Sequence, residues 1–139
     1  RACVRACVPP QCQTGVSTAV FHRFTANVVM GGTQAGQIVF WDTRASNLPV
    51  ARTPLSTYGH THAVCGLHML GSKHAHSIVS VCRDGRLCTW SPAKLGEPIE
   101  ACYLDDGTLS GVPKGMEVSI ATTAFTFPTG SVDDFLLGS

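Results

Sequence analysis

Residues 76–91 read His76-Ser-Ile-Val-Ser-Val-Cys-Arg-Asp-Gly-Arg-Leu-Cys-Thr-Trp-Ser91. An apolar run leads into an Asp-Gly turn, and a second run ends at Trp90, which is the pattern of a β-hairpin with glycine at the position needing positive φ. Residues 27–42 repeat the order: Asn27-Val-Val-Met-Gly-Gly-Thr-Gln-Ala-Gly-Gln-Ile-Val-Phe-Trp-Asp42. Gly36 lies over Gly85 and Trp41 over Trp90, each pair 49 residues apart. A fixed offset carried by both the turn and the tryptophan marks an internal repeat.

The segments around these hairpins complete the unit. Residues 16–24 and 62–70 are strand-like runs ahead of the hairpins, and Pro49 to Leu55 and Pro98 to Leu104 are candidates for a fourth strand. Each unit therefore reads as four antiparallel strands. A third unit starts with Val118 to Phe127, and Phe135 to Ser139 echoes Val29 to Thr33, with Gly138 over Gly32. The expectation is an all-β chain of about two blades and the start of a third, open at both ends. Its divisions are a divergent lead-in at 1–14, a first blade at 15–58, a second at 59–104, an inter-blade loop at 105–117 and a truncated third blade at 118–139.

The second unit resembles a WD40 repeat, a β-propeller blade whose usual period is ~40–45 residues. In such a blade a tryptophan on the third strand, a serine on the second, a histidine ahead of the first and an aspartate in the turn can join one hydrogen-bonded chain. His60, Ser80, Asp84 and Trp90 stand at those positions. The first unit keeps Gly36 and the Trp41-Asp42 pair, but has Cys12 in the histidine's place and Ala35 in the aspartate's. Phe21, Phe24, Phe40, Phe125 and Phe127 alternate with small or polar residues, which suits the interior between stacked blades.

Composition narrows the function. Ten Lys plus Arg against nine Asp plus Glu leave a formal charge of +1, without the basic stripe of a nucleic-acid binder. No apolar run reaches the ~18 residues that a membrane span needs, so membrane insertion is not expected. The seven cysteines are odd in number, which excludes a fully paired internal disulfide framework. Cys65, Cys82, Cys88 and Cys102 fall in apolar segments, where reduced cysteine packs as a small hydrophobe. Cys3, Cys7 and Cys12, with His22 further on, lack the paired spacing of a zinc clamp, so no metal is expected.

The histidines at 60, 62, 68, 74 and 76 invite a search for a catalytic base. His60 belongs to the blade network, His68 alternates along a strand, and His74 and His76 read as inter-strand loop. His62 has no comparable explanation. No glycine elbow, HExxH helix or phosphate loop accompanies them, and neither enzyme activity nor a cofactor is expected. Thr53, Ser56 and Thr57, in the link between blades, are hydroxyls open to phosphorylation, although nothing nearby marks them as sites.

A narrower resemblance follows from Val29 to Arg44, the link Arg52-Thr-Pro-Leu-Ser56, the entry His60-Thr-His62, the run Asp84 to Ser91, Phe127-Pro-Thr-Gly130 and Asp134 to Ser139. Together these are similar to the cytoplasmic dynein intermediate chain family, in order, from about Gly15 to Ser139. The resemblance implies a non-catalytic scaffold subunit of a microtubule motor, cytoplasmic and microtubule-associated, whose propeller binds the dynein heavy chain. Other dynein subunits would be met through regions absent from this sequence. An axonemal intermediate chain or another WD40 interaction adaptor is the alternative.

Overall fold

Glycine sets the two hairpin turns: Gly36 has φ +88° and Gly85 φ +79°, a backbone region that costs side-chain-bearing residues about 1–2 kcal/mol. In the computed structural model, which describes residues 14–45, 48–104, 121–128 and 135–138, these turns join the central strands of two sheets. The first sheet runs β1 (Val16–Phe21), β2 (Val28–Thr33), β3 (Ile38–Asp42) and β4 (Ala51–Arg52). The second runs β5 (Val64–Gly71), β6 (His76–Cys82), β7 (Arg86–Trp90) and β8 (Glu100–Tyr103). Strands are neighbours in chain order and every pairing is antiparallel. A further pair, β9 (Ala124–Thr126) and β10 (Leu136–Gly138), forms a two-stranded sheet.

The repeat holds at the level of register. Trp41 pairs with Val29 and Trp90 with Ile78, while Gly31 faces Val39 as Ser80 faces Cys88. Several strands are shorter than their apolar runs. β1 stops at Phe21 because His22 Nδ1 accepts the amides of Thr25 at 2.9 Å and Phe24 at 3.3 Å, which turns the chain. Asn27, at φ +66°, completes that connection with a residue type that tolerates the left-handed region.

The core lies between the two sheets. Met30, Ile38 and Phe40 from the first meet Val64, Leu67, Met69, Ile78, Cys88 and Trp90 from the second, with Val20, Phe24, Val28, Ala51 and Leu95 packed at the margin. Full burial of a large apolar side chain contributes about 1.5–3 kcal/mol, so this seam is the main attraction between the sheets. The Ser17 hydroxyl tightens it, lying 3.0 Å from Gly32 O in its own sheet and 2.6 Å from Val64 O in the next.

Four expectations are corrected. Phe21 is 66% exposed, because its strand position turns it away from the seam that Phe40 fills. Cys102 lies on the outermost strand β8 and is exposed, unlike Cys82 and Cys88. His76 opens β6 and packs edge-on to His22 at 5.3 Å, so it is strand and not loop. Thr53 is fully buried, out of a kinase's reach, with its Oγ1 accepting the Ile38 amide at 2.9 Å. The lead-in up to residue 13, the loop 105–117 and the candidate zinc cysteines Cys3, Cys7 and Cys12 lie outside the described residues.

Candidate functional site

Three of the four residues singled out in the second repeat, His60, Ser80 and Trp90, converge where the link from β4 enters β5. His60 is buried, and its Nε2 lies 2.6 Å from Ser80 Oγ on β6. Trp90 Nε1, at the end of β7, donates to the same oxygen at 2.8 Å. Ser80 has one proton to give, and its contact with Cys88 O is longer, at 3.3 Å. The hydroxyl therefore donates to His60 Nε2 while accepting from the indole. This assignment puts the imidazole proton on Nδ1, facing Cys88 Sγ at 3.9 Å. Burial holds His60 neutral, lowering its pKa to about 4, against a smaller upward pull from Asp84.

Asp84 stands apart from this chain of bonds. Its Oδ2 is 3.2 Å from His62 Nδ1, and its Oδ1 takes the Cys82 thiol and, at 3.3 Å, the Arg86 amide. The expectation that Asp84 joins His60 is thus replaced by a pairing with His62, the histidine that the sequence left unexplained. The reason is positional: His60 points inward to Ser80, whereas His62, two residues on, is exposed beside the turn. Burial pushes the Asp84 carboxyl upward, but the Cys82 and Arg86 hydrogen bonds and the His62 charge leave it below its ordinary range.

The first repeat solves the same position differently. Gly31 replaces serine, and a Cβ there would lie 2.6 Å from Trp41 Cζ3, so the indole occupies the space a side chain would need. Trp41 Nε1 is buried without a hydrogen-bond partner among the described residues. Asp42 accepts the Arg44 amide at 2.9 Å and caps the turn after β3.

Two residues with comparable roles were missed in the sequence. Gln37 Nε2 donates to Thr53 O at 2.8 Å, and Arg86 donates to Thr57 O and Tyr58 O at 3.0 Å each, while lying over the Tyr103 ring at 5.6 Å. They clamp the inter-blade link from its two sides. Their equivalence was available as a signal, since both follow the turn glycine directly. Among the described residues no group of three or more His, Cys, Asp or Glu could hold a metal, and no helix is long and apolar enough to cross a membrane.

No family model matches the chain. Among curated proteins it is 37% identical over 129 residues to the cytoplasmic dynein 1 intermediate chain of Drosophila melanogaster, covering 92% of this chain and 18% of that protein. It is 36% identical over 88 residues to the mouse (Mus musculus) dynein axonemal intermediate chain 2, covering 63% of this chain and 14% of that protein. The chain thus spans less than a fifth of these relatives. Among solved structures it superposes on a chain of the mitotic checkpoint complex with a TM-score of 0.59 at 18% identity, over 88% of this chain and 32% of the other. A Chaetomium thermophilum Raptor structure gives a TM-score of 0.55 at 19% identity, over 69% of this chain and 9% of the other. At such identities the structural matches establish the fold, that of WD40 propeller blades, and the sequence matches establish the lineage. This stretch of blades belongs to the dynein intermediate chain family.

Proposed function

We propose that the chain is part of a non-catalytic scaffold subunit of cytoplasmic dynein, with its propeller binding the dynein heavy chain during microtubule-based transport. The observation that carries this reading is the similarity to a cytoplasmic dynein 1 intermediate chain, which runs through 92% of the chain. The polar side chains fit a scaffold: His60, Ser80 and Trp90 bond to one another, and Gln37 and Arg86 bond to the link between blades. Their hydrogen-bonding capacity serves to hold strands in place, which suits a surface built for docking. On this reading the protein is cytoplasmic, associates with microtubules through the motor, and needs no cofactor. The aim of the His60, Ser80 and Trp90 network is to fix the entry of the second blade.

An axonemal role is the second reading, favoured by 36% identity to an axonemal intermediate chain. That match stops at 88 residues, whereas the cytoplasmic one extends over 129 at similar identity. The test is to tag the full-length protein in its own cells and identify what co-purifies. Dynein heavy chain in stoichiometric amount, from cells without cilia, is the expected outcome. Absence of heavy chain overturns the scaffold proposal, and recovery only from isolated axonemes moves it to the second reading.

A further inference from the structure

Equivalent positions of three successive units meet around one cavity of about 590 Å³. Ser17 and Cys65 at the starts of β1 and β5, Thr122 and Thr123 just before β9, and Gln34 and Arg83 from the two hairpin turns line it. The lining hydroxyls are mostly committed. Ser17 Oγ lies on Gly32 O and Val64 O, and Thr123 Oγ1 donates to Gly138 O at 3.0 Å. Thr122 Oγ1 is buried and has no hydrogen-bond partner among the described residues.

Among the described residues, Arg83 is the only charged one in the lining. It is exposed, and among the described residues its guanidinium makes no ion pair. The carboxylate next to it in the chain, Asp84, is directed elsewhere, to His62, the Cys82 thiol and the Arg86 amide. Among the described residues the cavity thus offers one positive charge and the Gln34 amide, with no acidic residue in its lining. Such a set matches a singly charged planar acceptor, since guanidinium and carboxylate pair through two parallel hydrogen bonds. A phosphate dianion would bring a second negative charge without a second cation to meet it. The volume falls in the range of ligand pockets and exceeds one carboxyl group, so it also has room for the chain that bears it.

The geometry points to this cavity as a docking site for a protein segment that inserts an acidic side chain against Arg83. The site is distinct from the His60 network and does not depend on which protein is the partner. Gln34 and Arg83 occupy the same place in successive hairpins, so the second blade carries a charge where the first carries a neutral amide.

The test uses the full-length protein and a fluorescein-labelled peptide bearing three consecutive glutamates, followed by anisotropy. Saturable binding is expected, weakened about tenfold or more by Arg83→Gln. Gln34→Glu, which places a carboxylate inside the cavity, should weaken binding to a similar degree. Arg44→Gln, which removes an exposed arginine already paired with Asp42, should leave it unchanged. A tri-lysine peptide should not bind. Arg83 is exposed and its backbone amide keeps its bond to Ala63 O, so its variant should retain the parent melting curve. No saturable binding, or equal binding by the parent and Arg83→Gln, overturns the proposal. Displacement of the peptide by inorganic phosphate more readily than by acetate also overturns it, by making the cavity a phosphate site.

Discussion

Gly31 stands in the first sheet where Ser80 stands in the second, each beneath a tryptophan of the next strand. Above Ser80 the indole N–H of Trp90 finds an acceptor at 2.8 Å, whereas above Gly31 that of Trp41 is buried without one. The two blades share a backbone but hold their tryptophans by different means.

Ser80→Ala should therefore be costly, because it leaves Trp90 Nε1 and His60 Nε2 without their shared partner. Each unsatisfied buried group costs about 1–3 kcal/mol, so for the two together a loss of about 2–6 kcal/mol is expected. Gly31→Ser should not transplant the network. Its Cβ would meet the Trp41 ring, and overpacking of this kind costs about 1–3 kcal/mol. Denaturant midpoints of the two variants check both statements, and a stabilised Gly31→Ser protein would contradict the second.

Acidification should destabilise the fold through His60. Its pKa falls from 6.5 to about 4 on folding, chiefly through burial, so between those values the unfolded chain binds a proton that the folded chain refuses. Stability from this group is complete above pH 6.5 and is lost as pH falls toward about 4. The span corresponds to about 3 kcal/mol. His22 and His68 are also lowered, mainly by burial, and act in the same direction. Stability measured against pH should flatten over this window in a His60→Gln variant; an unchanged slope would assign the effect to other groups.

The turn glycines should differ in their tolerance of alanine. Gly85→Ala meets the penalty of positive φ, about 1–2 kcal/mol. Gly36→Ala meets that penalty and a collision with the His60 carbonyl oxygen, so it should be the more damaging of the two. Thermal melts of the pair rank them directly.

Thiol labelling should follow the layers of the sheet. Cys102 is exposed on β8, whereas Cys82 and Cys88 are buried, their thiols pushed up by burial to about 12 and about 11. The Asp84 carboxylate adds to the rise at Cys82. Thiolates are the reactive form, so iodoacetamide near pH 8 should modify Cys102 before Cys82 and Cys88, and those two only in denaturant. Peptide mapping by mass spectrometry gives the order, and early labelling of Cys88 would mean that the seam between the sheets opens in solution.

Much of the fold was legible because it is written locally. The Asp84-Gly85 turn, the alternation of Ile78 to Cys82 and the closing Trp90 specify a hairpin from neighbouring residues, and their recurrence around Gly36 and Trp41 specifies a repeat. The blade order required nothing further, since consecutive antiparallel strands pair as they emerge. Strand ends were less legible: Pro49 to Leu55 contains only the two-residue β4, since there Thr53 turns its side chain to the Ile38 amide.

The residues themselves determined the hairpins, the repeat and the pairing of His60, Ser80 and Trp90 as candidates, because each depends on turn chemistry or on a fixed strand offset. Only the folded arrangement decided that Asp84 meets His62, that Gln37 and Arg86 clamp the link, and that Gly31 yields its space to Trp41. Those contacts depend on how side chains point after the sheets stack, and stacking joins residues whose separation along the chain carries no period.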